Sequence, residues 1–514
     1  MTFNYSISQS FKKLNRYHLG LFLILGLAFL IRIYKLDSSS IWFDEKSSLS
    51  CALGFPHPGL TIVNQPSWTS LGFENNKPFS NQDFSKFNSI NNVLNSSPHS
   101  HLYFGLLHYW VSFFGVSDFS IRLLSVIFSC LMVLILYLLA MELFGKQNVA
   151  LMASFLIAIS PICVLSGQFA RAHSMVGFLT LWSTLIFYRL YFNKSDNLLY
   201  SVLYVVLIIV SLFSHFYSLY IFSGHFFIML FTNRNWILWK KYFLSNAFVL
   251  TTILIYYING GTEDFKLMAE IDSVFANEVQ NWKPGGNPHF MPLSAHTIYA
   301  GWLQVLLPMF GNYFQGFGFR LREIQFFLIL PLTFLILLYI KRKSTYPGTN
   351  LLFVAILFIS GPLCAFFFSL RAGYTMFFTP GYSLYSFGFA VLLLALAFAQ
   401  IKNENGWVKK TLYCLTGIQI VITWLSLIPI YREEHLGMKA NPYPVVVDKI
   451  VMEANQSDTI IYSSFIIAQT TNIYLKGCDH LIQKVDTAQN NQILIKKANG
   501  EKYVVVGFDE ALNY

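Results

Sequence analysis

Five short stretches of this sequence hold residues able to do chemistry, and four of them stand at or just past the end of an apolar run. The first is SSSIWFDEKSSLS, in which Asp44 and Glu45 follow the first such run. A carboxylate held at the mouth of a membrane cavity can act as a general base. Acids in the first turn of a helix can equally do no more than favour its positive end. The second stretch, SSPHSHLYFGLLHYW, contains His99, His101, Tyr103 and His108. The His-x-His spacing puts His99 and His101 on one face of an extended strand but apart on a helix. As a metal site it is two ligands short of a closed set, and interfacial histidines also serve simply to hydrogen-bond headgroups.

The third stretch is SGQFARAHSMVGF, with Arg171 and His173. The fourth is FSHFYSLY, with His215, and the fifth is SLRAGYTMFFTPGY, with Arg371 and Tyr374. One Arg at the end of a span can simply reach to the headgroups. Here Asp44, His99, Arg171, His215 and Arg371 all fall at the same membrane face, and polar groups at that depth are candidates for function. Cations beside a carboxylate suit a phosphate-bearing substrate. A guanidinium binds the phosphate bidentately, and the carboxylate takes a proton from an acceptor.

Elements that could position these residues are written in the composition. Of 514 residues, 55% are hydrophobic and only 12% charged, half the charged share of an ordinary soluble domain. The net charge of +10 does not point to nucleic acid, because the basic residues cluster at the ends of apolar runs. A span needs about 20 apolar residues, which gives about eleven candidates. They lie near 17–36, 119–143, 147–166, 174–192, 198–215, 217–232, 241–258, 323–340, 349–369, 380–400 and 410–430. Lys12, Lys13 and Arg16 precede the first without a small-residue cleavage site, which reads as a signal anchor.

Lys146, Lys194, Lys241, Lys341 and Lys409 fall on alternate connections, which are then cytoplasmic. An odd number of spans puts the N-terminus inside and the C-terminus outside. The first outer loop, about 37–118, carries a semi-apolar piece at 101–115 that is too short to span and reads as an interfacial amphipathic helix. A second long outer loop covers about 259–322. Residues 1–432 thus form a transmembrane domain. From 433 to 514 the pattern changes to a helix followed by strands at DTIIYSS and EKYVVVGF, a small α/β domain outside the membrane. Six Cys are scattered without paired spacing, so no disulfide framework is expected.

Taken together the motifs resemble the GT-C superfamily, in the branch of protein O-mannosyltransferases and aminoarabinose (lipid A) transferases. IYKLDSSSIWFDE is similar to that group's opening motif, an Asp–Glu pair after the first span. HSHLYFGLLHYWVSFFGVSDFSIRLLSVIFS resembles its HPPLYYLLLHLW…FG.SEFALRLPSALF signature. QFARAHSMVGF, SHFYSLYIFSGH and RAGYTMFFTPGYSL resemble its SQEARMYALL, THYFALFLLLAH and RYLLPALPAL segments. Order and spacing fit along about the whole chain. There are departures. His99-Ser100-His101 stands for His-Pro-Pro, Phe169 replaces an acid and His173 a Tyr. Pro98 sits where some relatives carry a metal-binding acid, and Gly373 occupies the family's Arg position, two residues after Arg371.

The resemblance implies an all-α polytopic membrane protein of GT-C fold with a small C-terminal extracytoplasmic α/β domain, lying in the inner (plasma) membrane. Its implied activity is inverting transfer of a sugar from a polyprenyl-phosphate donor to a protein, lipid A or other glycan acceptor. Asp44 would act as base with Glu45 beside it in the catalytic pair. Arg171, Arg371 and His99 would hold the donor phosphate, while His101, Tyr103, His173, His215 and Tyr374 would line the cavity. No cofactor is assigned with certainty; a divalent metal stays open, with His215 and His99 as candidate ligands. Expected partners are the lipid-linked donor, membrane lipids and the acceptor, with no nucleic acid. A flippase or transporter of lipid-linked sugars is the alternative, but it should carry ionisable groups near mid-span. The predicted topology is testable with reporter fusions after Gly437: a reporter active only outside the cytoplasm should be active there. Activity confined to a cytoplasmic reporter would reverse the orientation.

Overall fold

The computed structural model describes residues 3–38, 43–54, 90–94, 100–261, 279–283, 291–309, 348–378, 380–401 and 406–431, four strands between 459 and 507 with Lys497, and the single positions 266, 273, 276, 450 and 452. Every predicted span except 323–340, which lies outside the described residues, coincides with helix. In chain order these helices are α1 (Phe3–Ile33), α2 (Phe43–Ala52), α3 (Ile90–Leu94), α4 (His101–Phe114), α5 (Asp118–Phe144), α6 (Gln147–Ala158) and α7 (Pro161–Gly167). They continue as α8 (His173–Tyr191), α9 (Leu198–Ser214), α10 (Leu219–Thr232), α11 (Trp236–Tyr256), α12 (Ala295–Met309), α13 (Gly348–Ala372), α14 (Phe387–Ile401) and α15 (Gly406–Leu425). Five helical stretches among the described residues are long and apolar enough to cross a membrane, or six if the bent pair α6–α7 counts as one span. The chain is an integral membrane protein.

It divides into two units. One takes Met1–Tyr34 with Leu123–Ile430, the other Lys35–Arg122 with Tyr431–Tyr514. In the first unit, α8 packs on α9, α9 on α11, α10 on α13, and α6 on both α1 and α14. Asn197 and Asn235 start α9 and α11 by accepting hydrogen bonds from the amides of Leu199 and Ile237, both at 2.9 Å. The span expected as one piece at 147–166 is broken. Pro161 has no amide hydrogen to donate and drives Ser160 to an extended conformation (φ −62°, ψ 120°), so α6 and α7 meet at 61°.

Between α8, α9 and α10 the core is aromatic with polar pins. The Phe187 ring stacks on His225 at 4.2 Å, while the His225 nitrogens contact the Thr184 hydroxyl at 3.0 Å and the Tyr204 hydroxyl at 3.1 Å. At the end of α8 far from His173, Arg189 pairs with Glu142 at 3.2 Å, and the Asn193 side chain donates to the same carboxylate at 2.8 Å.

The second unit holds α2, α3 and α4, and its later segment contributes a mixed four-stranded sheet. Its strands are β1 (Thr459–Tyr462), β2 (Ile482–Val485), β3 (Gln492–Lys496) and β4 (Lys502–Gly507), in the order β2-β1-β3-β4. β1 runs parallel to β2 and antiparallel to β3, and a register shift at Ile493/Leu494 interrupts the antiparallel β3–β4 pair. The strands read at DTIIYSS and EKYVVVGF are β1 and β4; of the helix expected before them only Ile450 and Met452 are described, both helical.

The helix expected at 101–115 is α4. Its buried face is Tyr103, Phe104, Leu107 and Val111, and its exposed face includes Tyr109 and Phe113. The second outer loop, about 259–322, is described only at 259–261, 266, 273, 276, 279–283 and 291–309. None of the described cysteines forms a disulfide, and Cys478 lies outside the described residues.

Glycines allow close helix approaches in the first unit. A Cβ at Gly224 would meet Leu357 Cδ2 at 2.8 Å on the facing α13, whereas one at Gly26 would meet nothing within 4 Å. Gly224→Val should therefore lower stability by about 1–3 kcal/mol through overpacking, and Gly26→Ala should be neutral or slightly stabilising. Thermal unfolding in detergent would read both, and equal behaviour of the two variants would refute the close approach.

Candidate active site

The predicted residues fall into two groups, one in each unit. In the second unit, Asp44 and Glu45 occupy the first turn of α2, where both favour the positive helix end. Their environments differ. Glu45 is fully buried, and both its oxygens accept from Arg122, Oε1 from Nε at 2.8 Å and Oε2 from Nη2 at 2.7 Å. The third arm of the fork, Nη1, donates to the Leu36 carbonyl at 2.7 Å and so fixes the chain leaving the first span. Asp44 is only partly buried, and its carbonyl accepts from the Ser48 hydroxyl at 3.1 Å. One acid of the pair is committed to a bidentate ion pair, the strongest of side-chain hydrogen-bond geometries; the other faces a less enclosed environment.

His99 lies outside the described residues. His101 opens α4, and its Nδ1 donates to the Leu94 carbonyl at 2.6 Å, fastening α4 to α3. His108 does the same for α2, donating from Nδ1 to the Ala52 carbonyl at 2.8 Å. Ser100, just before α4, takes a left-handed conformation (φ 64°), an unusual one for a residue with a side chain. Tyr103 is fully buried.

In the first unit, Arg171 sits in the turn between α7 and α8. Its amide donates to the Phe169 carbonyl at 2.8 Å, and its own carbonyl accepts from the Ser125 hydroxyl at 3.3 Å. His173 opens α8, and His215 forms the extended break at the end of α9. The two rings lie 5.2 Å apart. Tyr382 and Tyr385 close over them, Tyr382 at 6.3 Å from His173 and 6.0 Å from His215, with the Tyr385 hydroxyl 3.5 Å from His173 Nδ1. Tyr217 packs against both with tilted rings, 4.6 Å from Tyr382 and 5.2 Å from His215.

Tyr374 joins this cluster through Phe377, which lies 5.9 Å from it and 5.8 Å from Tyr217. Gly373, at φ 84°, turns the chain out of α13, which lets Tyr374 pair by a backbone bridge with Pro292. Arg371 stands exposed in the last turn of α13. His173, His215 and Tyr374 therefore share one aromatic cluster, with Arg171 two residues from His173.

Arg122, Tyr217, Tyr382 and Tyr385 were not singled out from sequence. Arg122 had a readable signal: an Arg inside an apolar run needs an anion, and the acids of the DE pair are near in sequence. The tyrosines had none, since their role depends on which spans adjoin. Among the described residues no group of three His, Cys, Asp or Glu comes together to hold a metal. His173 and His215 make a pair only, short of the ligand count a protein-held metal requires.

Residues 99–257 match the family model for dolichyl-phosphate-mannose-protein mannosyltransferase. No curated protein matches the sequence. The structure of ArnT from Cupriavidus metallidurans bound to undecaprenyl phosphate is similar with a TM-score of 0.51 at 11% identity, over 91% of this chain and 86% of that one. Oligosaccharyltransferase AglB from Archaeoglobus fulgidus, in complex with an inhibitory peptide and a dolichol-phosphate, has a TM-score of 0.47 at 14% identity. That match covers 84% of this chain, which spans 58% of the archaeal protein's length. Motifs and architecture thus agree: this is a membrane protein with the GT-C fold, similar over residues 99–257 to the dolichyl-phosphate-mannose-protein mannosyltransferases.

Proposed function

We propose that this chain transfers a sugar from a polyprenyl-phosphate donor to an acceptor on the extracytoplasmic side of the inner membrane, by a single inverting displacement. The observation that carries the reading is the division of labour in the DE pair. Glu45 is neutralised by the Arg122 fork, and Asp44, one residue before it, is only partly buried. Adjacent residues on a helix point about 100° apart, so holding one inward aims the other elsewhere. A polyprenyl phosphate as carrier is supported by the match at 99–257 and by the undecaprenyl phosphate held in the ArnT structure.

In this mechanism the Asp44 carboxylate takes the proton of an acceptor hydroxyl or amine. The oxygen or nitrogen attacks the anomeric carbon from the face opposite the leaving group, and the bond from that carbon to the phosphate oxygen breaks. Polyprenyl phosphate leaves as a weak base, so fixed positive charge suffices to stabilise it without a separate general acid. Arg171 is the first source of that charge, with Arg371 and His99 as further sources. The resemblance assigns His173, His215, Tyr374, His101 and Tyr103 to the lining of the substrate cavity. The acceptor is a protein, lipid A or another glycan.

Purified protein in lipid, with a polyprenyl-phosphate sugar and an envelope extract, provides the assay. Asp44→Asn keeps the size and an acceptor oxygen, so it should fold normally and lose about 10²–10⁴-fold in rate. Glu45→Gln should act on stability instead, because stranding Arg122 in a buried site costs about 3–5 kcal/mol. Normal turnover by Asp44→Asn beside a folded but dead Glu45→Gln would exchange the two roles. Full activity of both would remove the enzyme reading's main support.

Arg171→Lys keeps the charge and loses the fork. It should raise KM for the donor well beyond the change in KM for the acceptor. An unchanged donor KM would move the phosphate to Arg371.

A further inference from the structure

The α6–α7 break lies one short helix upstream of Arg171 and leaves backbone groups that an apolar environment cannot satisfy. Where α6 stops, no next turn follows to donate to its last carbonyls, and Ile157 O takes only a long 3.4 Å bond from the Ser160 amide. Arg32, on α1 and fully buried, takes that place. Its Nη1 donates to Ala158 O at 2.9 Å and to Ala28 O at 3.0 Å, and its Nη2 to Ile157 O at 3.4 Å. Its Nε donates to the Ser129 hydroxyl at 2.7 Å, and that hydroxyl donates in turn to Cys163 O, in α7, at 2.9 Å. The pair Arg32–Ser129 therefore grips both sides of the break. The guanidinium also sits at the carbonyl end of α6, where the helix dipole favours a cation.

The grip continues toward Arg171. Gln168, which ends α7, sends its side-chain amide back to the carbonyls of Arg32 at 3.1 Å and Tyr34 at 3.0 Å. Three residues on, the Arg171 carbonyl is held from α5 by Ser125, one helical turn before Ser129. At least four donor contacts of the Arg32 guanidinium go to α1, α5 and α6. Arg32 is thus bound up in backbone support, unlike a cation held ready for a phosphate.

We propose that Arg32, acting through Ser129 and Gln168, is a positioning residue for Arg171: it fixes the bend between α6 and α7 so that α7 delivers the QFAR turn in one geometry. The functional consequence rests on the reading of Arg171 as the donor-phosphate ligand. The positional consequence does not. Arg32→Lys keeps the charge but cannot span Ala158, Ile157 and Ser129 at once. Gln168→Leu is the milder variant and serves if Arg32→Lys fails to fold.

Hydrogen exchange of the 168–172 amides in lipid, with KM and kcat for a polyprenyl-phosphate sugar, tests both consequences. Both variants should speed exchange at 168–172 while leaving α8 protected. They should lower kcat/KM for the donor by up to about 10²-fold, the scale of an ångström-level misplacement, chiefly through KM. In an Arg171→Lys background the same variants should add little, because the group they position is already impaired.

Unchanged exchange at 168–172 in a folded variant would overturn the positioning role. So would an equal, additive loss in both backgrounds, which marks a general structural defect. If Arg171→Lys alone leaves donor KM unaltered, the phosphate reading fails, and the exchange data still decide whether Arg32 sets the turn.

Discussion

A backbone carbonyl with no donor is expensive in an apolar medium, by several kcal/mol, and this constraint governs how the chain can depart from regular helix. Ordinary helices meet it internally. Each irregular turn between spans must meet it with a side chain, and the turns are where the chemistry-bearing residues sit. Pro161 breaks one span, and Arg32 donates to the carbonyls at the end of the first half. Asn350 shows the same economy, donating to the Leu143 carbonyl at 2.6 Å while accepting from the Tyr188 hydroxyl at 3.2 Å. Irregular backbone is tolerated where a polar side chain has been placed for it.

Buried charge follows the same rule with a larger penalty. Removing a carboxylate and a guanidinium from water is repaid only when geometry is good and the remaining hydrogens are satisfied. Glu45 and Arg122 meet the first condition through two short bonds between them, and Leu36 O takes a further hydrogen of the fork. Such a pair contributes modest stability but strong direction. It ties the start of α2 to the start of α5 and to the chain after α1, and this sets the orientation of the turn that carries Asp44.

Much of this was legible in the sequence, and the rest was not for identifiable reasons. Spans were legible because apolar length is a local property, and helix stands at each predicted span that is described. Asp44 and Glu45 were legible as a pair at a helix start, but not their different environments, because the partner of Glu45 is 77 positions away. The unity of 147–166 was misread, since a single Pro was outweighed by hydrophobic length. Arg32 was hidden inside a run read as plain anchor. The grouping of His173 and His215 with Tyr382 and Tyr385 depends on which spans adjoin, and hydrophobicity alone does not encode that.

The tight fit around the α6–α7 bend makes three distant positions depend on one another. A Cβ at Gly167 would come within 2.9 Å of the Ser129 Cβ and 3.3 Å of the Arg32 Cδ. Any side chain at 167 thus needs a smaller neighbour at 129 or a withdrawn one at 32, and either change loosens the hydrogen bonds at the bend. Single steps from this trio pass through a strained intermediate, so a tolerated side chain at position 167 calls for a change at 129 or 32 as well. Among diverging descendants of this chain such changes would appear together, while the lipid-facing residues around them drift freely.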